Sequence, residues 1–112
     1  MISVIIPALN AERTLAATLT ALVPAAIDGI VREVIVVDGG SRDRTREVAE
    51  LAGADIIDAM PGRGSQLARG SAQARFPWLL FLHADTVLQE GWESEALSFV
   101  RRIDRRERPE AA

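Results

Sequence analysis

Runs of β-branched and apolar residues alternate with stretches of helical periodicity along this chain, which predicts an α/β fold: a Rossmann-like, three-layer α/β/α arrangement around a mainly parallel sheet. Three observations carry the prediction. The rhythm is strand then helix, repeated from one end to the other. The connections are short, so successive strands lie parallel with helices on both faces of the sheet. The run WLLFL from Trp78 to Leu82 shows no polar alternation, as expected of a strand covered on both sides.

Ile2 to Ile6 (ISVII) is the first strand, stopped by Pro7, and Asn10 with Glu12 opens the helix that follows. Leu15, Leu19, Leu22 and Val23 recur at helical spacing and give that helix one apolar stripe, until Pro24 or Gly29 ends it. Val34 to Val37 forms a second buried strand. Asp38-Gly39-Gly40-Ser41 follows directly, and paired glycines after a strand imply a tight turn or the close approach of another group. Asp43 or Ser41 caps the next helix, which runs through Val48 and Leu51 to a terminating glycine, Gly53.

Ala54 to Ile57 is the third strand. The breaker-rich loop Pro61 to Gln66 leads into a helix from Leu67 to Arg75, and Pro77 ends it. The fourth strand starts at Trp78 and stops abruptly at His83, Ala84 and Asp85. A last helix begins at Gly91-Trp92 and carries Leu97, Phe99, Val100 and Ile103. Residues 101–112 are dominated by charge and read as the end of that helix and a frayed tail.

A chain of 112 residues, 48% of them hydrophobic, sustains one core, so residues 1–112 are expected to form a single domain. A net charge of -3 leaves no basic excess to displace counterions from phosphates, which argues against general nucleic-acid affinity. No apolar run approaches the roughly 20 residues of a membrane-spanning helix, and a strand stands where a leader would; a cytoplasmic location is expected. The absence of cysteine excludes disulfides, thiolate metal sites and cysteine nucleophiles. With one histidine, any Ser-His-Asp mechanism would have to use His83.

The unusual residues follow strand ends. Pro7 to Glu12, Asp38 to Ser41, Gly62 to Gln66 and His83 to Asp85 therefore share one rim of a parallel sheet. If the strand order reverses between the first and fourth strands, a crevice opens there, lined by Asn10, Asp38, Arg63 and Asp85. That set suits a nucleotide diphosphate: a carboxylate for base or ribose donors, an Arg, and a carboxylate holding a divalent cation against phosphates. Singly, each residue has a plainer reading. Asp38-Gly39-Gly40-Ser41 reads as a turn and helix cap, Asn10 as a cap, Gly62-Arg63-Gly64 as a solvated loop, and His83 as a hydrogen-bonded structural histidine. Neither GxGxxG nor GxxxxGK[ST] is present, so dinucleotide-binding and P-loop assignments fail.

VIIPALNAE (Val4 to Glu12), VVDGGSRDRT (Val36 to Thr45), GRGSQLARG (Gly62 to Gly70) and LFLHADT (Leu80 to Thr86) resemble, in order and spacing, the nucleotide-sugar-binding half of family 2 glycosyltransferases of GT-A fold. The resemblance covers residues 1 to about 100. It implies that Pro7, Ala8, Asn10 and Glu12 border the nucleoside and that Asp38, beside Gly39 and Ser41, contacts the base, usually uracil. Arg63 and Gln66 would lie near the base and diphosphate. Asp85, next to Ala84, matches the last carboxylate of the family's DxD signature, which holds Mg²⁺ or Mn²⁺ on the diphosphate. His83 stands where the first Asp is common, which makes it a second candidate ligand or a support for the first.

The implied activity is transfer of a sugar, UDP-linked in the usual case, to an unknown acceptor (a sugar, a lipid or a small molecule) with inversion. Family members run well beyond this length, and their later half supplies the general base and the acceptor pocket; nothing after Asp85 resembles it. A catalytically inactive nucleotide-binding or interaction module is the alternative reading, and a sugar-phosphate nucleotidyltransferase is another. Trp92, Phe99 and Ile103, if left uncovered, would favour a homodimer.

Overall fold

The computed structural model describes residues 1–86, 88, 91 and 92. In chain order its elements are β1 (Ile2–Ala8), α1 (Glu12–Ala21), α2 (Val23–Ile27), β2 (Val31–Asp38), α3 (Thr45–Leu51), β3 (Asp55–Asp58), α4 (Arg63–Gln73) and β4 (Trp78–Phe81). All strands pair in parallel, in the order β3-β2-β1-β4. The expected α/β architecture is present, and the order reverses between β1 and β4 as the crevice requires.

Successive side chains of a strand point to opposite faces, so β1 feeds two cores. Ile2, Val4, Ile6 and Ala8 join Val36 from β2 with Leu15, Leu19, Ala25 and Ala49 from α1, α2 and α3 in one buried cluster. Ile5, Ile35 and Val37 form the other, against Leu67 and Ala74 at α4. Helices thus cover both faces and the three layers follow. α4 comes so close at Gly70 that a Cβ there would lie 2.3 Å from Ile5 Cγ2 and 2.9 Å from Val37 Cγ2.

β1 runs past Pro7 to Ala8, further than its sequence suggests. The carbonyl of Ile5 accepts from the Leu82 N–H on the β4 side, while that of Ala8 accepts from Gly39 N–H on the β2 side. In a parallel ladder alternate residues face alternate neighbours, so the missing N–H of Pro7 falls toward β4. There the pairing has already ended at Ile5 and Phe81, and no ladder bond is lost.

β2 begins at Val31 rather than Val34. Arg32 and Glu33 interrupt the apolar run, yet Glu33 is buried because its carboxylate is fully supplied with donors. Its Oε1 accepts from Ser3 Oγ at 2.7 Å and Arg75 N at 2.7 Å, and its Oε2 from Arg75 Nε at 3.0 Å. Arg75 is accordingly outside α4, which ends at Gln73, and ties the chain entering β4 to the sheet. Burial alone would raise the Glu33 pKa, but these hydrogen bonds outweigh it and hold the carboxyl below its ordinary value.

Three apolar expectations are corrected. The first helix breaks at Leu22, with Pro24 in the opening turn of α2, so Val23 falls out of phase and is exposed. α3 turns Thr45 and Ala49 inward, four residues apart, which leaves Leu51 in solvent. β4 is at the edge of the described sheet, and α4 lies over β1, β2 and β3, so Leu79 and Phe81 are exposed on that face instead of covered. Leu88 and Trp92 pack against the α1 cluster, which takes Trp92 into the chain's own core. Phe99 and Ile103, the rest of the last helix and the 101–112 tail lie outside the described residues. Among those described, no helix is long and apolar enough to cross a membrane.

Candidate functional site

The last rung between β1 and β2 pairs Ala8 with Asp38, and the two loops beyond it are knitted together. Asp38 is 2% exposed. Its Oδ1 accepts from Ser41 Oγ at 2.5 Å and Ser41 N at 3.2 Å, and its Oδ2 from Arg46 Nη1 at 3.3 Å. Arg46 also pairs with Asp58 at the end of β3, and the two carboxylates, Asp38 first, hold the guanidinium pKa above its ordinary value. Asp38 therefore organises the loop from a buried position.

Ser41 Oγ in turn accepts from Asn10 N at 2.9 Å, and Asn10 Oδ1 accepts from Arg42 N at 2.8 Å. Asn10 does not cap α1; it holds a left-handed backbone at φ 50° and bridges the loops. The first donors of α1 are met from the junction of β2 and α3, Ala11 N by Thr45 Oγ1 at 2.8 Å and Glu12 N by Asp43 Oδ2 at 3.2 Å. Asp43 Oδ1 also accepts from Thr45 N at 2.9 Å and from the Thr45 hydroxyl. The hydroxyl bond foremost keeps the Asp43 carboxyl below its ordinary pKa. Of the two capping candidates for α3, Asp43 serves its first turn and Ser41 serves Asp38.

α4 starts at Arg63, directly after Gly62 at φ 130°, so Arg63 and Gln66 sit on its first turn rather than in a loop. Gln66 is 5% exposed and spans the sheet end: its Nε2 donates to Ala8 O at 3.0 Å and Val37 O at 2.9 Å, and its Oε1 accepts from Gly62 N at 3.3 Å. A carbonyl oxygen accepts two hydrogen bonds, and at Ala8 the amide adds the second to the one already given by Gly39 N at 2.9 Å. Both N–H groups of Gln66 are thus directed at backbone carbonyls of the sheet end. Gly39 is needed beneath it, since a Cβ would lie 3.1 Å from the amide carbon.

Beyond β4 the chain turns at once, with Thr86 N donating to His83 O at 3.0 Å. Thr18 of α1, buried beside Leu15 and Leu19, anchors this turn: its hydroxyl reaches Ala84 O at 3.1 Å and Thr86 O at 3.0 Å. Thr18 escaped the sequence reading, although its place within the buried stripe marks it. Arg63 Nη2 meets His83 Nδ1 at 3.0 Å, which brings α4 and the β4 turn together on the exposed rim. Asp85 is exposed and has no hydrogen bond or ion pair among the described residues. Glu12 is exposed and Pro7 half-buried at the near side of the rim.

Among the described residues no three His, Cys, Asp or Glu side chains converge as a preformed metal cage. Mg²⁺ and Mn²⁺ do not require one: such cations keep several waters and bind through one or two carboxylates plus substrate phosphates. The carboxylate of Asp85, exposed and unpaired among the described residues, fits a site of that kind. The Nδ1 of His83 is already engaged by Arg63.

The sequence pattern of the family described as Glycosyl transferase family 2 matches residues 3–105. A glucosyl-3-phosphoglycerate synthase of Mycolicibacterium paratuberculosis is 35% identical over 95 residues, covering 77% of this chain and 29% of that protein. A PGL/p-HBAD biosynthesis glycosyltransferase of Mycobacterium bovis is 36% identical over 110 residues, covering 80% of this chain and 37% of its own. The crystal structure of glucosyl-3-phosphoglycerate synthase from Mycobacterium tuberculosis in complex with Mn²⁺, UDP and glucosyl-3-phosphoglycerate superposes with a TM-score of 0.70 at 33% identity, over 78% of this chain and 34% of that one. The same enzyme in complex with Mg²⁺ and UDP gives 0.69 over 75% and 33%. The chain thus spans about a third of the length of the relatives it matches.

Proposed function

The chain belongs to glycosyl transferase family 2, and on that premise we propose that it is the donor-binding part of a glycosyltransferase that takes a UDP-sugar with Mg²⁺ or Mn²⁺. The observation that carries the reading is the exposed carboxylate of Asp85 at the β1/β4 switch point, beside the Arg63–His83 pair. The M. tuberculosis relative, bound to UDP with either metal, supports it.

In this reading the nucleoside lies along the knitted loops Pro7 to Glu12 and Asp38 to Ser41, with Ala8, Asn10, Gly39 and Ser41 forming its floor. Gln66 and Asp38 keep that floor rigid through bonds to the strand ends and loop. Asp85 holds the divalent cation, Ala84 being fixed beside it by Thr18. A bound cation would supply charge neutralisation for the departing diphosphate. Arg63 adds a fixed guanidinium to the same phosphates, where a charge-assisted hydrogen bond strengthens as the leaving group gains charge. The sugar is transferred with inversion to an acceptor whose binding residues, and the base that deprotonates it, lie outside the residues assigned here.

Titration calorimetry with UDP tests the reading. Wild-type chain binds more tightly with Mn²⁺ than without, and Asp85→Ala abolishes the difference. Equal affinity with and without the metal in the wild type contradicts the assignment. An inactive binding module would keep this affinity and show no donor hydrolysis or sugar transfer.

A further inference from the structure

We propose that His83 donates a hydrogen bond to the nucleotide diphosphate, fixed in that role by Arg63, and is not a ligand of the divalent cation; the proposal rests on the donor-binding reading above. Arg63 Nη2 is 3.0 Å from His83 Nδ1. A guanidinium carries N–H donors and no acceptor, so this contact requires the lone pair to be on Nδ1. Neutral imidazole has one N–H, which is therefore on Nε2.

A metal bond needs a lone pair. That of Nδ1 is taken by Arg63, and Nε2 has none to give. The exposed ring thus offers the rim a donor, where the family pattern has a carboxylate. A guanidinium and an adjacent N–H complement phosphate oxygens rather than a cation. Labour at the rim is divided: Asp85 takes the metal, while Arg63 and His83 take the diphosphate.

His83 is the chain's only histidine, so its tautomer is readable without assignment by long-range ¹H–¹⁵N correlation NMR in mildly alkaline buffer. The proton is expected on Nε2 in the free chain, with its resonance shifting on addition of UDP. Arg63→Ala should release the lock and give mixed tautomers. A proton found on Nδ1 in the wild type overturns the proposal.

Calorimetry with UDP separates this role from metal binding. His83→Ala should weaken UDP about tenfold, the size of one hydrogen bond to a charged group, both with and without Mn²⁺, leaving the ratio of the two affinities unchanged. His83→Gln, which carries an N–H of similar reach, should recover most of the loss. If His83→Ala instead erases the Mn²⁺ effect, His83 is a ligand and the proposal fails while the donor-binding reading survives. A wild-type chain that binds no UDP under any condition overturns both.

Discussion

Adding one methyl group at Gly70 should unseat the helix that carries half of the candidate site. A Cβ at this position would lie 2.3 Å from Ile5 Cγ2 and 2.9 Å from Val37 Cγ2, against ordinary carbon contacts of about 3.5–4.0 Å. Ile5 and Val37 are fully buried, β-branched and on the two central strands, so neither yields easily. α4 must therefore withdraw by more than an ångström. Overpacking of this kind costs about 1–3 kcal/mol, and the shortfall in distance places Gly70→Ala near the upper end. The gain in helix propensity returns about 1 kcal/mol, which leaves a net loss of about 2 kcal/mol. With a urea slope of about 1–2 kcal/mol per molar, the unfolding midpoint should fall by about 1–2 M. Gly64→Ala is the internal control: it lies on the same helix with nothing within 4 Å of an added Cβ, and should be neutral or raise the midpoint. A Gly70→Ala chain as stable as the wild type would refute the packing argument.

Glu33 should make the fold acid-sensitive. Its folded pKa is depressed below the ordinary 4.5, so its contribution is complete above that value and is lost as pH falls through the folded value. Glu33→Gln should flatten the decline of stability in urea titrations between about pH 5 and pH 2; an unchanged slope would contradict the role. Thr18→Val keeps the buried volume of α1 but removes the anchor of the turn from Ala84 to Thr86, and should cost about 1 kcal/mol. It should also reduce the Mn²⁺ enhancement of UDP binding through the loosened Asp85, and an unaltered enhancement would count against that positioning.

The sheet was legible because β-branched runs alternate with helical stripes, and the rim was legible because polar residues crowd at strand ends. What the sequence hid was pairing between distant polar groups. Glu33 reads as a surface interruption of β2 until Ser3 and the Arg75 backbone supply its donors from 30 and 42 residues away. Asn10 suits a cap as well as a ligand; only the neighbouring loop reveals that its side-chain oxygen accepts from the Arg42 backbone, as Gln66 donates to strand-end carbonyls. Leu79 and Phe81 looked buried because apolar composition does not report whether a covering helix reaches the sheet edge. His83 was ambiguous as a residue type, and the tautomer that Arg63 imposes is a property of their contact, not of either side chain.

A crystal structure of the chain with UDP and Mn²⁺ tests the central claim most directly. The account predicts the nucleotide across the carboxyl ends of β1 and β4, its base along the Asn10 and Ser41 loops, its phosphates at Arg63 and His83, and the cation on Asp85. A nucleotide seated elsewhere, or a cation bound away from Asp85, would contradict it.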